Sequence, residues 1–465
     1  MKTAKRSGSS VITFQSTVGM KTANPRSPII PDDSFVLSTR HTSLVLSSLL
    51  PDTQAVALNF FFLAYGSSQD TEATGSILHL LAARYATCAP SSPLALATAA
   101  LAVNVTGLWR LRGSDTALAR QLYAQAVTRV REAIMDPTRN RSDELLMAAL
   151  VLESYDSVNG EHQCNPSPAV HASGSVALLK HRAALNYRNQ LSQHLVMAIR
   201  NKYVQDALTG RQRVKDVGDI WRDHGPMPQS PAARLDRLAF HLLQLRASLR
   251  SEQSLEGNER SRASVLSRSL ALHEECDRWI ESLPDRWHPV SVNRAHVHAS
   301  VKAAGMYGTT CHVYTNLSIA NVRNLHRIVE LGILRIMSTC PSPEALNAPA
   351  RVQLIVDEIC SSVPFCVGDL VQPASPILGD VVRFPVVQME PGRYPESVTQ
   401  HGLQVASSGA RLMHRTLVSA LEIVEGGNLD TYSSLLSNSQ LGWMKSQISR
   451  LDSILHQLAP RAGGT

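Results

Sequence analysis

SDELLMAALVLESY, residues Ser142 to Tyr155, decides the fold class. Leu145, Leu146, Ala149, Leu152 and Tyr155 recur at steps of three and four, the period of one helix face. Ser142 supplies an N-terminal cap, and Asp143 and Glu144 put negative charge in the first turn, where the helix dipole favours it. Reading outward, the same spacing predicts helices over about 72–87, 94–110, 115–133, 189–209, 231–250 and 263–282, joined by short Pro/Gly/Asn breaks. Near the C-terminus Leu441, Met444, Ile448, Leu451, Leu455 and Leu458 form one apolar stripe, as on an amphipathic helix that packs on a neighbour. No fixed-period repeat occurs, and no alternation of β-branched residues builds a sheet. The expectation is an all-α, multi-helix array over residues 51–465. Within it, 367–400 is expected to be a long loop, because Pro373, Pro376, Pro385, Pro391 and Pro395 are too dense for a helix interior. Residues 1–50, a mixture of Ser, Thr, Pro and basic residues without period, are expected to form a flexible tail.

Hydrophobic residues make up 44% of the 465 and charged residues 18%, which excludes disordered, collagen-like and low-complexity classes for the bulk of the chain. The net charge is +7, of which the first 40 residues carry +4 through Lys2, Lys5, Arg6, Lys21, Arg26 and Arg40 against Asp32 and Asp33. The remainder is too nearly neutral to argue for a nucleic-acid-binding face, which needs a clustered patch. Lys2, Lys5 and Arg6 are candidates for a nuclear localisation signal or a phosphate contact. Seven scattered cysteines, Cys88, Cys164, Cys276, Cys311, Cys340, Cys360 and Cys366, read as reduced intracellular thiols. The apolar run Val11–Phe14 is too short for a signal-peptide core. Residues 85–109 carry no charge but include Pro90, Pro93 and Asn104, and predict a buried Ala-rich helix rather than a membrane span.

A search for chemistry returns no catalytic, cofactor-binding or metal assignment. Gly-rich phosphate loops and the Gly-x-Ser-x-Gly elbow are absent, and Ser173–Gly174–Ser175 merely begins an apolar helical run. His273, Glu274, Glu275 and Cys276 point in different directions on a helix and read as a solvated face. The pairs His296/His298, Cys311/His312 and Cys360/Cys366 match no zinc spacing.

Several segments, in order, nevertheless resemble the regulatory region of fungal-specific transcription factors, the helical part that ordinarily follows a binuclear zinc cluster. They are LLMAALVLESYDSVNG (145–160), HASGSVALLKHR (171–182) with its small-residue turn before a Leu-Leu helix, the helix 191–208, PAARL (231–235) with LRA (245–247), WIESLPDRW (279–287), YTNLSIANVRNLHR (314–327) and EICSSVPFCVG (358–368). Asn324 and Arg327 keep the family's positions, and Arg323 stands where a Trp is usual. Each also has a packing role: Trp279 and Trp287 as anchors, Pro284 as the helix break between them, Asn324 and Arg327 as one face bonding a neighbouring loop. Val363 is expected to be pushed into extended geometry by Pro364, turning Phe365 into the core.

Two departures limit the likeness. Residues 1–87 contain no cysteine, so they hold no zinc cluster. Phe384–Val387 is a remnant of the family's Leu-Leu-Trp-Pro-Leu-like motif. The resemblance implies a nuclear transcriptional regulator, with fungal secondary-metabolite gene clusters as the setting, and not an enzyme. Without its own cluster it acts through protein partners, a DNA-binding relative or a second copy, by amphipathic helices including the Leu441–Leu458 stripe. DNA contact is then indirect and no membrane is involved. An upstream in-frame segment encoding the cluster would make that contact direct. A helical scaffold or binding protein, and a pathway enzyme without a motif, are the alternatives.

Overall fold

The computed structural model describes residues 52–65, 77–110, 117–163, 170–182, 189–208, 221, 229–252, 259–339, 348–374, 380–387, 398–426 and 436–457. All of them fall in one compact unit, Asp52–Thr465. The tail 1–50, the basic Lys2–Lys5–Arg6 group, Cys164, Cys340 and Leu458 lie outside the described residues.

The chain is all-α. Its helices are α1 (Thr53–Tyr65), α2 (Leu78–Tyr85), α3 (Pro93–Arg110), α4 (Ala117–Met135), α5 (Asp143–Gln163), α6 (Val170–Arg182), α7 (Gln190–Leu208), α8 (Pro231–Glu252), α9 (Glu259–Glu281), α10 (Ala299–Gly305), α11 (Leu317–Met337), α12 (Ala348–Val367), α13 (Val398–Gln404), α14 (Ala410–Glu425) and α15 (Asn438–Gln457). A two-stranded antiparallel ribbon, β1 (Val290–Asn293) on β2 (Thr310–Val313), is the sheet that sequence spacing did not register. Four residues a side is too short to show a period.

Two helices serve as hubs. α3, uncharged up to its final Arg110, starts at Pro93, where a missing N–H is harmless, with Ser92 Oγ accepting from the Ala95 amide at 3.2 Å. It packs against α1, α4 and α5. Its apolar length therefore satisfies neighbouring helices, and no helix among the described residues is long and apolar enough to cross a membrane. The second hub, α11, begins at the Asn316 side chain, which accepts from the Ile319 amide at 2.8 Å. It packs against α8, α9, α12 and α14 and is buried on nearly every side. α7 bridges the two groups by touching α5 and α8. At the cap of α5, Asp143 accepts from Arg182 of α6 at 2.6 Å and from Ser192 of α7 at 2.7 Å. The residue read as first-turn charge thus also ties three helices together.

Four readings need correction. Val363 is not extended: α12 runs through Pro364 to Val367. Proline near the end of a helix removes a single amide donor, and the burial of Val363, Phe365, Cys366 and Val367 outweighs that loss. Residues 171–175 are not a turn but part of α6, where Ser175 is buried and a Cβ on Gly174 would meet nothing. The face around His273 is solvated only in part: Glu274 is exposed and His273 and Glu275 are half-buried, but Cys276 is fully buried. The stripe from Leu441 is not wholly free for pairing: α15 lies on α14 with Met444 and Leu451 buried, while Leu441, Ile448 and Leu455 are half-buried.

Of the stretch 367–400, residues 368–374 and 380–387 have neither helix nor strand, and α13 begins at Val398. Gly368, at φ +60, turns the chain after α12, and Arg450 of α15 donates to the Gly368 and Leu370 carbonyls at 2.9 and 2.7 Å. Between α13 and α14 the helix widens into a π turn, Val405–Gly409.

Candidate functional site

The residues singled out by the ordered segments converge on α11. Trp279, at the end of α9, stacks on His326 with centroids 4.7 Å apart, and meets the fully buried Trp287 edge-on at 6.3 Å. Its indole N–H donates to the Pro231 carbonyl at 2.9 Å, which ties α9 to the start of α8. Arg327, 2% exposed, donates to Tyr314 Oη at 2.8 Å, Asn324 Oδ1 at 2.7 Å and Glu358 Oε2 at 2.9 Å. Asn324 in turn donates to Ser362 Oγ at 3.0 Å. Asn324 and Arg327 therefore bond helix α12, and Arg327 also bonds Tyr314 in the link between β2 and α11. Burial alone would raise the Glu358 carboxyl, but the Arg327 charge and hydrogen bond hold it below its ordinary value. Arg323 lies with its guanidinium 5.9 Å from the Trp279 ring, and burial lowers it to about 10. Phe384, of the remnant motif, stands edge-on to His401, whose Nε2 lies 3.1 Å from the Phe365 carbonyl oxygen.

One step along α11 is a second charged cluster. His273, Asp277 and Glu330 place one potential ligand atom each within 4.8 Å of the others, close enough to share a cation. Arg351 already occupies that role. Its Nε donates to Glu330 Oε1 at 2.6 Å, and its Nη2 lies 4.0 Å from Asp277. Burial would raise Glu330, yet hydrogen bonds from His273 and Arg351 lower it to about 2. His326 is driven by burial down to about 4 and is neutral at pH 7. A fixed guanidinium between the carboxylates repels a metal, so this donor set suits a structural ion pair. His296/His298 and Cys311/His312 are not brought together with further ligands among the described residues. Cys360 and Cys366 are both buried, which raises each thiol to about 12. These thiols are protonated and inert at neutral pH.

The cavity that sequence reasoning missed lies where the two helix groups meet. A pocket of about 310 Å³ is walled by α1, α2, α5, α7, α11, the π turn and α14. Leu78, Leu150, Leu317 and Leu412 give it an apolar side. Glu153, Asn201 and Lys202 give it a polar one. Tyr65 Oη donates to the Ser407 carbonyl at 3.2 Å, joining α1 to the π turn at the rim. Lys202 Nζ is 2.7 Å from Asp206 and 3.8 Å from Glu153. Asn201 donates to the buried Asp236 at 2.8 Å and accepts from Gln205 at 2.9 Å. Glu153 was visible in the sequence as the first charge after the apolar run 145–152, but only as part of a helix. Compared with known proteins, the chain matches no family model, no curated protein and no solved structure.

Proposed function

We propose that this chain is the helical regulatory part of a nuclear transcription regulator that works through protein partners, a DNA-binding relative or a second copy. DNA contact is indirect in this reading, and the setting is a fungal secondary-metabolite gene cluster. One observation supports it: three of the segments that resemble the fungal regulatory region, 279–287, 314–327 and 358–368, meet around α11. Trp279 and Trp287 meet α11 at His326 and Arg323, and Tyr314, Glu358 and Ser362 meet it at Arg327 and Asn324. The reading uses no catalytic residue and no bound cofactor. Met444 and Leu451 of the C-terminal stripe are buried, so of that stripe only the half-buried Leu441, Ile448 and Leu455 are open to a partner.

The test is localisation and chromatin occupancy of the tagged full chain in the organism it comes from. Nuclear concentration is expected, with promoter DNA recovered only when a protein–protein cross-linker accompanies formaldehyde, and with deletion altering transcripts of a contiguous set of biosynthetic genes. A cytoplasmic chain with an unchanged transcriptome on deletion overturns the proposal.

A further inference from the structure

The pocket between the helix groups has a chemistry of its own, and it stands whether or not the chain regulates transcription. At about 310 Å³ it is large enough for a small organic molecule. Its leucine wall suits an apolar body. Its polar wall is centred on Glu153, which is only 7% exposed. A buried carboxylate ordinarily has a short, hydrogen-bonded cation beside it. Lys202 is shared between two carboxylates, its ammonium 2.7 Å from Asp206 and 3.8 Å from Glu153, so a single cation faces both. The charged groups facing Glu153 are Lys202 and Asp206 of α7 and Asp156 of its own helix. His79 of α2 is the other titratable group on the wall, and Arg415 of α14 lies with Asp206 in an adjoining cavity. From α1, α11 and α13 the pocket receives the uncharged Tyr65, Asn321 and Gln404. A second mark of a built site is the π turn at the rim, a distortion of the helical ladder that recurs at functional sites.

We propose that this pocket binds a small amphipathic amine, its ammonium paired with Glu153 and its apolar part against Leu78, Leu150 and Leu412. In the empty pocket burial raises the Glu153 carboxyl to about 7, against the pull of Lys202 and with a further push from Asp206 and Asp156. The amine stays protonated across this range and pairs with the ionised carboxylate, so binding releases the Glu153 proton to solvent. Affinity therefore rises with pH through 7.

Isothermal titration calorimetry on the purified full chain tests this with phenethylamine and its neutral counterpart 2-phenylethanol as probes. Phenethylamine is expected to bind about tenfold more tightly at pH 8 than at pH 6, the ratio of ionised carboxylate set by a pKa near 7. 2-Phenylethanol is expected to bind more weakly and without pH dependence. Glu153→Gln is expected to abolish the pH dependence and weaken the amine while melting no lower than the parent chain. Ser154→Phe, which crowds the pocket and leaves Glu153 in place, is expected to lose both probes. No heat with phenethylamine, equal affinity for the two probes at pH 8, or an unaltered pH slope in E153Q each overturns the proposal.

Discussion

Asp236 shows how burial sets a charge state residue by residue. It is 3% exposed, and burial raises its carboxyl to about 7 although Asn201 donates to it and Arg200 is near. The unfolded chain ionises the same group near pH 4. A carboxyl raised on folding contributes most below its unfolded value, and that contribution is lost as pH climbs from about 4 to 7. Asp236→Asn keeps the acceptor for Asn201 and removes the buried charge, so it is expected to add on the order of 4 kcal/mol at pH 8 and nothing at pH 4. Urea unfolding at the two pH values checks this, and equal shifts at both would contradict it. Glu330 works in the opposite sense. Its value is lowered to about 2, so its contribution is complete above about 4.5 and fades as pH falls toward 2. Neither group announced itself in the sequence, because what distinguishes them is the partner supplied from another helix: Asn201 for one, His273 and Arg351 for the other.

At the scale of the element, α15 separates two meanings of an amphipathic stripe. Periodicity alone shows that a helix has an apolar face and leaves open what covers it. Here the cover is α14, with Met444 and Leu451 fully buried. Leu451→Asp is accordingly expected to destabilise the fold by several kcal/mol, since it places a charge where nothing pairs with it. A mutant that melts like the parent but loses self-association would show instead that the stripe is a pairing surface. Helix existence was legible wherever apolar residues repeat over three turns, as in α3, α5, α8 and α9, because burying one face is a local requirement. The continuation of α12 through Pro364 was not legible. Local geometry argues against it, and only the packing around Val363 and Phe365 favours it. The pocket was invisible for the same reason. Glu153 and Lys202 lie on different helices, and nothing in their spacing shows that α5 and α7 approach one another.

At the scale of the whole molecule, one apolar core runs without interruption from Ala57 in α1 to Ile454 in α15. Hubs α3 and α11 each draw four or fewer helices around them, and α7 joins the groups. Far-UV circular dichroism and the fluorescence of Trp279 and Trp287 are therefore expected to change with the same midpoint on urea unfolding. Two separated midpoints would mean that the groups around α3 and α11 unfold independently. The thiols add a last property. Cys276, Cys311, Cys360 and Cys366 are all within 3% of complete burial, and burial raises each above its ordinary value. An alkylating reagent has no route to them while the chain is closed. The rate at which they take up label is then a chemical clock for opening of the core, wound into the protein without any added probe.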